Sequence, residues 1–234
     1  MSELISARLR RRVRAAGADP LLTYYEPATG ARTELSAVTL LNWVDKTCHL
    51  LDELDVGAGD VVSLALAEEA PGHWVTAVWQ LACWQVGAVV AVGPAAGAAL
   101  VVSGPAFQVQ AGSGVDVVAC SLHPLGLPFG EPLPAPVLDY ATEVRGQPDR
   151  YPAVAQSGLA SAWTDPARRL DQAGLVAVDV GPAGRRLVRP ADPWRSAVDT
   201  VLRPLLVGGS SVVVAGPVGD EELARICQDE RVER

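Results

Sequence analysis

The side chains that most often perform chemistry are few in this sequence and lie far apart. The histidines are His49, His73 and His123, and they form neither an H-x-H nor an H-x-x-x-H pair. The cysteines form no C-x-x-C pair, so the usual ligand spacing of a zinc site is missing. No G-x-S-x-G segment marks a hydrolase nucleophile. The sequence therefore predicts no metal site and no catalytic residue.

Two glycine segments could serve as phosphate-binding loops. They are Gly93-x-x-x-Gly97 and Gly112-Ser113-Gly114. Neither is followed by the Lys-Ser or Lys-Thr pair of a P-loop. Both segments are therefore predicted to be turns, where glycine supplies backbone conformations that other residues avoid.

Two further groups of residues have a structural and a functional interpretation. Asp139 and Glu143 could form a general acid/base pair, but acids four apart more often lie on a solvated helix face. Trp74, Trp79 and Trp84 follow near-helical spacing and could form a ligand cage. We favour core packing for the tryptophans, because large aromatic rings dominate protein cores.

Composition limits the class of protein. The chain has 234 residues, a 49% hydrophobic content and a mean hydropathy of +0.20, which together predict a globular domain with a sizeable core. The formal net charge is −8, whereas nucleic-acid binders usually present a basic face, so no nucleic-acid partner is expected. Lys46 is the only lysine, so any mechanism that needs this side chain must use it.

The cysteines also indicate the compartment. Each of them lies in an apolar segment, which is typical of buried free thiols in a reducing environment. A cytoplasmic location is therefore expected. The four residues are Cys48, Cys83, Cys120 and Cys227.

Strand-like segments alternate with helix-like segments over most of the chain. This alternation predicts a single α/β domain over residues 1–234, with a layered, largely parallel sheet flanked by helices. The prolines of residues 123–136 exclude regular structure there, so this segment is a surface loop or an internal linker. Strands are predicted at residues 21–25, 61–66, 88–92, 99–102, 115–119, 175–180 and 211–214.

Other elements are predicted from capping residues and turn signals. Helices are expected at residues 2–16 with Ser2 as N-cap, at 36–54, 71–86 and 220–229, and from Pro193 to about residue 206. Residues 175–180 and 185–188 are interpreted as a β-hairpin around a G-P-A-G turn. Between residue 137 and Arg169, helix and coil are expected to alternate.

Two segments of the chain could contact a membrane. Residues 74–102 are apolar and long enough to span a bilayer, but Gln80, Gln85 and several glycines interrupt them. A buried helix followed by buried parallel strands explains the same run, so no transmembrane segment is expected. The arginines of residues 8–14 form either a solvated helix face or an anchor for acidic lipid or a partner.

Two regions resemble acyl- and aminoacyl-adenylate-forming synthetases, the family of acyl-CoA ligases, nonribosomal adenylation domains and luciferases. Residues 19–92 contain L-L-T-Y-Y-E, a T-x-L-S helix entry, a G-x-G-D turn, W-V-x-A-x-W and Q-V-G-A-V-V. Residues 198–217 are similar to the family's L-x-P-L-L-x-G-G-x-x-V-V segment. The resemblance implies the fold of the family's N-terminal subdomain.

The resemblance also implies which active-site parts are missing. The family carries a Ser/Thr/Gly-rich phosphate-clamping loop with a lysine, and residues 178–188 stand in its place. Gly181, Gly184, Arg185 and Arg186 are the degenerate remnant that this comparison implies. No cofactor is expected, with a nucleotide or CoA-type ligand at these residues as the open alternative. The sequence given ends before the family's Y-G-x-T-E segment, hinge and C-terminal lysine.

Three functions remain open on this basis. The leading hypothesis is a non-catalytic homologue, a pseudoenzyme, that binds a ligand or a partner. The second is a component of an acyl-CoA or AMP ligase that another chain completes. The third is a membrane-peripheral protein that uses the basic first helix. We also expect self-association or another protein to cover a surface around residues 212–214 and the helix at 220–229.

Overall fold

The computed structural model describes residues 3–93, 95–109 and 114–233. Within this part of the chain the α-helices are α1 Ile5–Ala16, α2 Ala37–Glu53, α3 Leu66–Glu69, α4 Trp74–Val86, α5 Tyr140–Arg145, α6 Gln172–Val176, α7 Pro193–Ala197, α8 Arg203–Leu206 and α9 Asp220–Asp229. A 3₁₀ turn lies at Phe107–Val109, and a π-helical turn at Val198–Leu202 joins α7 to α8.

The strands of the described residues form a large and a small sheet. They are β1 Pro20–Glu26, β2 Ala31–Ser36, β3 Val61–Leu64, β4 Val89–Ala91, β5 Leu100–Ser103, β6 Asp116–Ala119, β7 Leu138–Asp139, β8 Ser161–Asp165, β9 Arg168–Asp171, β10 Arg185–Val188 and β11 Ser210–Val214. The large sheet has the order β7-β6-β5-β3-β4-β8-β9, and the small sheet has the order β10-β11-β1-β2.

The large sheet is parallel except for the pairing of β8 with β9. Its inner face is apolar in every central strand, with Val62, Val90 and Trp163 side by side and at most 1% exposed. Continuous apolar strands of this kind are typical of parallel sheets that are covered by helices. The predicted layered α/β fold with a largely parallel sheet is confirmed.

The core lies between the two sheets and contains α4, whose residues are all buried. Trp74, Trp79 and Trp84 are at most 1% exposed, which confirms that they are core residues. The apolar run from residue 74 onward is divided into α4, β4 and β5, and Gly87 ends the helix in a left-handed conformation. No helix in the described ranges is both long and apolar enough to cross a membrane.

The local signals at most helix ends are also confirmed. The Ser36 side chain accepts a hydrogen bond from the Thr39 N–H at 3.2 Å and begins α2. Asp192 caps α7 in the same way through the Arg195 N–H at 2.9 Å. The predicted cap Ser2 lies outside the described residues, and α1 begins at Ile5.

The predicted strand at residues 175–180 is wrong. Asp171 accepts a hydrogen bond from the Gly174 N–H at 2.6 Å and begins the short helix α6 instead. Leu175 reaches the core from this helix and is fully buried. The predicted hairpin is wrong as well, because β10 pairs in parallel with β11.

Residues 137–169 contain strands β7 and β8 where helix and coil were predicted. The β8–β9 hairpin turns at Asp165, whose side chain accepts hydrogen bonds from the backbone N–H groups of Ala167 at 2.8 Å and Arg168 at 2.9 Å. An aspartate before proline is a common turn signal, so this hairpin was detectable in the sequence. Residues 123–136 contain neither helix nor strand.

At the surface predicted to need a partner, strand β11 is covered within the chain, whereas α9 buries only Ile226. Val212, Val213 and Val214 are fully buried, because β11 lies inside the small sheet between β10 and β1. Ile226 of α9 packs on Val212 and Val214. The expected open edge at β11 is therefore absent because β10 pairs with it, and self-association or a partner at this surface stays a prediction.

Candidate functional site

The glycines and arginines that the sequence singled out lie together where the chain enters β10. Gly181 and Gly184 have positive φ angles of 71° and 117°. A Cβ atom at Gly184 would collide with the carboxylate of Glu233, whereas a Cβ atom at Gly181 would meet open space. The flexible end of Glu233 could move aside, so it is the positive φ of 117° that favours glycine at position 184.

Arg185 points into the small sheet. Its Nη1 donates to Ser210 Oγ at 2.9 Å, and its Nη2 donates to Thr23 Oγ1 at 3.0 Å. Its Nε donates to the Glu230 backbone oxygen at 2.6 Å, and the guanidinium forms an ion pair with the Glu230 carboxylate. All three nitrogens of the Arg185 guanidinium thus have partners inside the protein.

Glu230, just after α9, gathers polar side chains from three strands. It accepts hydrogen bonds from the Tyr25 hydroxyl at 2.6 Å and from Arg32 Nε at 2.9 Å. Burial alone would raise the pKa of Glu230, but hydrogen bonds from Tyr25, Arg185 and Arg32 lower it below its ordinary value of 4.5. Burial, followed by the hydrogen bond to Glu230, raises the pKa of Tyr25.

Arg186 folds back on its own loop. Its Nε and Nη2 donate to the Ala183 backbone oxygen at 3.1 and 3.0 Å. The N–H of Arg185, which could otherwise face an anion, donates to the Glu233 carboxylate at 3.2 Å. The Arg185 N–H and guanidinium are thus both bound to carboxylates of the protein, those of Glu233 and Glu230.

Lys46 lies on α2, in a different part of the molecule. Its Nζ donates to the backbone oxygen of Gln147 and forms an ion pair of 3.0 Å with Asp149. Beside it is a surface cavity of about 300 Å³ lined by Thr39, Asn42, Trp43, Lys46, Leu125, Arg145 and Asp149. The single lysine is therefore committed to holding α5 and the following segment against α2.

The arginines of α1 are partly used inside the protein. Arg10 donates to Asp45 at 3.1 Å and to the Tyr151 backbone oxygen at 2.9 Å. Arg8 donates to the Glu3 backbone oxygen at 3.0 Å. These contacts anchor α1 to its neighbours and reduce the cationic surface that a membrane anchor would need.

The remaining candidates have structural contacts. His73 is 3% exposed, and its Nδ1 accepts a hydrogen bond from the Val75 N–H at 3.2 Å, which caps α4. Asp139 caps α5 through the Ala141 N–H at 3.0 Å. Across residues 3–93, 95–109 and 114–233, no group of three or more His, Cys, Asp or Glu side chains could hold a metal ion.

The glycine segments near residues 93 and 112 are partly described. Gly93 and Gly97 have positive φ angles of 87° and 75° in the connection between β4 and β5. Gly112 and Ser113 lie outside the described residues. The predicted turn is thus observed at the first of these segments.

Solved structures with the same fold are acyl-CoA synthetases and CoA ligases. The chain superposes on an acyl-CoA synthetase of Brucella canis with a TM-score of 0.75 at 19% identity, covering 98% of this chain and 46% of that one. For the N-terminal domain of FACL13 from Mycobacterium tuberculosis the TM-score is 0.69 at 17% identity, covering 99% and 62%. For a benzoate CoA ligase of Burkholderia xenovorans LB400 it is 0.66 at 15% identity, covering 96% and 48%.

These structures confirm the predicted fold, that of the N-terminal domain of adenylate-forming enzymes. The chain spans roughly half to three-fifths of the length of these solved proteins. No model of a known protein family matches the sequence. A protein of Mycobacterium tuberculosis (strain ATCC 25618 / H37Rv) described as a TIGR03089 family protein is 36% identical over 221 residues, which cover 88% of this chain and 86% of that protein. The chain belongs to the TIGR03089 family.

Proposed function

We propose that this protein is a non-catalytic relative of the adenylate-forming enzymes, a pseudoenzyme that acts by binding a partner or a ligand. It keeps the N-terminal fold of those enzymes as a scaffold. Its glycine loop before β10 serves to close the small sheet against the C-terminal residues. The partner-binding role is the one that we favour over nucleotide or CoA binding.

The observation that carries this proposal is the set of contacts made by Arg185. Adenylate formation requires cations and N–H groups that are aimed at phosphate oxygens. In the described loop the guanidinium of Arg185 is bound by Glu230, Thr23 and Ser210, and the Arg185 N–H is bound by Glu233. A bound phosphate would have to displace these carboxylates and would face their negative charge.

The non-catalytic part is tested by ATP–pyrophosphate exchange. The purified chain is assayed with a panel of acyl and amino acids beside an active acyl-CoA synthetase as the positive control. We expect exchange at the level of the no-enzyme blank for every acid. Exchange above that level with any acid would refute the proposal.

The absence of a nucleotide site is tested separately by thermal unfolding with ATP, AMP, CoA and acyl-CoA. A ligand that binds only the folded state raises the unfolding temperature. We expect no shift with the nucleotides. A shift that disappears in Arg186→Gln, and persists in the matched surface variant Arg14→Gln, would identify the loop as a nucleotide site and overturn this part of the proposal.

A cytoplasmic location is also part of the proposal. It is supported by the free thiols, since Cys48, Cys83 and Cys120 are buried and unpaired in the described structure. Fractionation of the native host, with detection of the untagged protein by antibody, tests the location. Recovery of the protein in a secreted fraction would contradict it.

A further inference from the structure

One face of α1 carries three arginines. Arg8, Arg11 and Arg12 stand at positions i, i+3 and i+4, and Ala15 follows at i+7. Residues with this spacing are neighbours on one side of a helix. Like charges at this spacing repel each other and destabilise a helix by about 0.2–0.5 kcal/mol per pair. An anion bound beside this face would relieve the repulsion.

A surface cavity of about 310 Å³ lies between this face and the end of α8. Its described lining consists of the three arginines, Ala15 and residues 204–208, and it includes no acidic side chain. The wall formed by residues 204–208 is apolar, and Val207 is 45% exposed. We call this space the arginine cavity. It combines positive charge on one wall with apolar surface on the other.

The three guanidinium groups are only partly neutralised within the described chain. Arg11 forms an exposed ion pair of 2.7 Å with Glu3. Arg8 donates to the backbone oxygens of Glu3 at 3.0 Å and Leu206 at 3.4 Å, which carry no net charge. The Nε of Arg12 is buried and has no hydrogen-bond partner among the described residues. Three positive charges thus share one carboxylate, and an acidic segment complements the excess.

The longest run of acidic residues in the sequence is Asp220-Glu221-Glu222. It forms the first turn of α9, and all three residues are exposed. Within the described chain only Glu222 approaches a cation, Arg225 at 3.9 Å. Half-buried Leu223 follows the run and adds apolar surface. We call residues 220–222 the acidic turn. Acidic and apolar groups lie together there, as the arginine cavity requires of an occupant.

Strand β11 separates the arginine cavity from the acidic turn. Its alternating side chains place Val213 in the main core, which also contains Leu9 of α1 and Leu205 of α8. They place Val212 on the opposite face, against Ile226 of α9. Because α1 and α9 lie on opposite sides of the small sheet, the acidic turn of one molecule cannot enter its own arginine cavity. A second copy can supply it.

We propose that copies of this chain associate head to tail, with the acidic turn of one copy bound in the arginine cavity of the next. Arg11 and Arg12 of one copy bind carboxylates of the acidic turn, and Leu223 of the other copy packs near Val207. A contact between two different surfaces repeats itself and builds a ring or an open chain of molecules. Acidic lipid suits the cavity less well, because a flat bilayer cannot enter a recess and the net charge of −8 opposes it.

This inference goes beyond the proposed function and supplies the second surface for the self-association expected at α9. It does not depend on the loop before β10. Pyrophosphate exchange by the native chain would refute the non-catalytic proposal and leave the head-to-tail contact untouched.

Charge exchange tests the contact in the full purified chain. Light scattering over roughly 1–100 µM at low salt, where exposed charges are least screened, should show a mass that rises above the 24.5 kDa of one chain. Arg11→Glu/Arg12→Glu and Glu221→Arg/Glu222→Arg should each weaken the association at least about tenfold, because each brings like charges together. An equimolar mixture of the two variants should regain it, since the reversed cavity of one complements the reversed turn of the other.

The control is Arg150→Glu/Arg169→Glu, which makes the same change of net charge at exposed arginines elsewhere. It should associate like the native protein. Urea unfolding shows whether each variant is folded. Where charge reversal prevents folding, Arg12→Gln and Glu221→Gln take its place, and each should weaken the association.

The inference fails if the native protein keeps the mass of one chain over this range, if the mixture does not regain the association, or if the control loses it too. Association that no change in the cavity or the turn weakens would place the interface elsewhere. A native protein that stays a single chain, yet floats with phosphatidylglycerol vesicles and loses this binding in Arg12→Gln, would assign the cavity to acidic lipid instead.

Discussion

The Arg185 guanidinium is paired with the Glu230 carboxylate, and the two side chains are only 18% and 8% exposed. The pair joins β10 to the segment that follows α9. Removing Arg185 takes a cation from a largely buried carboxylate that keeps only Arg32 and Tyr25 as side-chain partners, so the loss is only partly compensated. The pair therefore makes the end of the chain part of the small sheet.

Arg185→Ala should destabilise the protein by about 2–3 kcal/mol, the usual range for hydrogen bonds to a charged group in a partly buried site. The matched control is Arg225→Ala, which breaks the exposed ion pair of 3.3 Å with Asp229 and should change stability by less than about 0.5 kcal/mol. Urea unfolding of both variants measures the difference. Equal effects would contradict the role assigned to Arg185.

Gly184→Ala should be more harmful than Gly181→Ala. Both positions have positive φ, but only at Gly184 would the added Cβ collide with Glu233. We expect a cost of about 1 kcal/mol at Gly181 from the positive φ and a further loss of less than about 1 kcal/mol at Gly184, because Glu233 must leave the Arg185 N–H to make room. Adding Glu233→Ala to Gly184→Ala should recover part of the loss, and a double variant no more stable than Gly184→Ala would argue against the collision.

Stability should fall in mild acid because of His73. Burial lowers the pKa of His73 to about 4 from its ordinary 6.5, against the opposing effect of a backbone hydrogen bond at Leu122. As the pH falls, His73 is therefore protonated in the unfolded chain before it is protonated in the folded protein. The stabilisation that is present above pH 6.5 is lost as the pH falls toward 4.

The matched variant is His73→Asn, because asparagine can cap α4 but does not titrate. Between pH 6.5 and 4 the free energy of unfolding of this variant should fall less than that of the native protein. The difference between the two falls should be up to about 3 kcal/mol. Urea titrations at several pH values give the two slopes. Identical slopes would show that His73 is not the titrating group.

Thiol labelling should separate the cysteines by burial. Cys227 is half-buried, whereas Cys48, Cys83 and Cys120 are buried, and burial raises the pKa of Cys83 to about 12. Thiolates are the reactive form, so native protein treated with N-ethylmaleimide should be modified at Cys227 alone. Mass spectrometry should find four modified sites after unfolding, and early modification of Cys83 would contradict the buried core.

Much of the fold could be predicted because buried parallel strands form short continuous apolar runs. β3, β4, β5, β6 and β11 all have this pattern and were found from it. Leu175–Val180 has the same apolar content, yet Asp171 caps a helix there. Periodicity cannot distinguish a short buried helix from a short buried strand, so the apolar pattern alone could not have prevented this error.

The four residues that the sequence singled out lie together in the structure, but the side chains that contact them could not be predicted. Gly181, Gly184, Arg185 and Arg186 are close in sequence and stay together in the structure. Glu230 joins them from the far end of the chain, through a contact between β10 and the segment after α9. No local motif encodes such a long-range pair.

The pairing of β1 with β11 has a consequence for synthesis. Leu22 lies beside Ser211, so β1 is synthesised well before the strand that pairs with its second edge. During that time β2 can pair with one edge of β1, while the other edge keeps unpaired N–H and C=O groups. Such edges recruit strands from other molecules. A chain in which β11 has not yet been made therefore exposes this edge of β1 to other molecules.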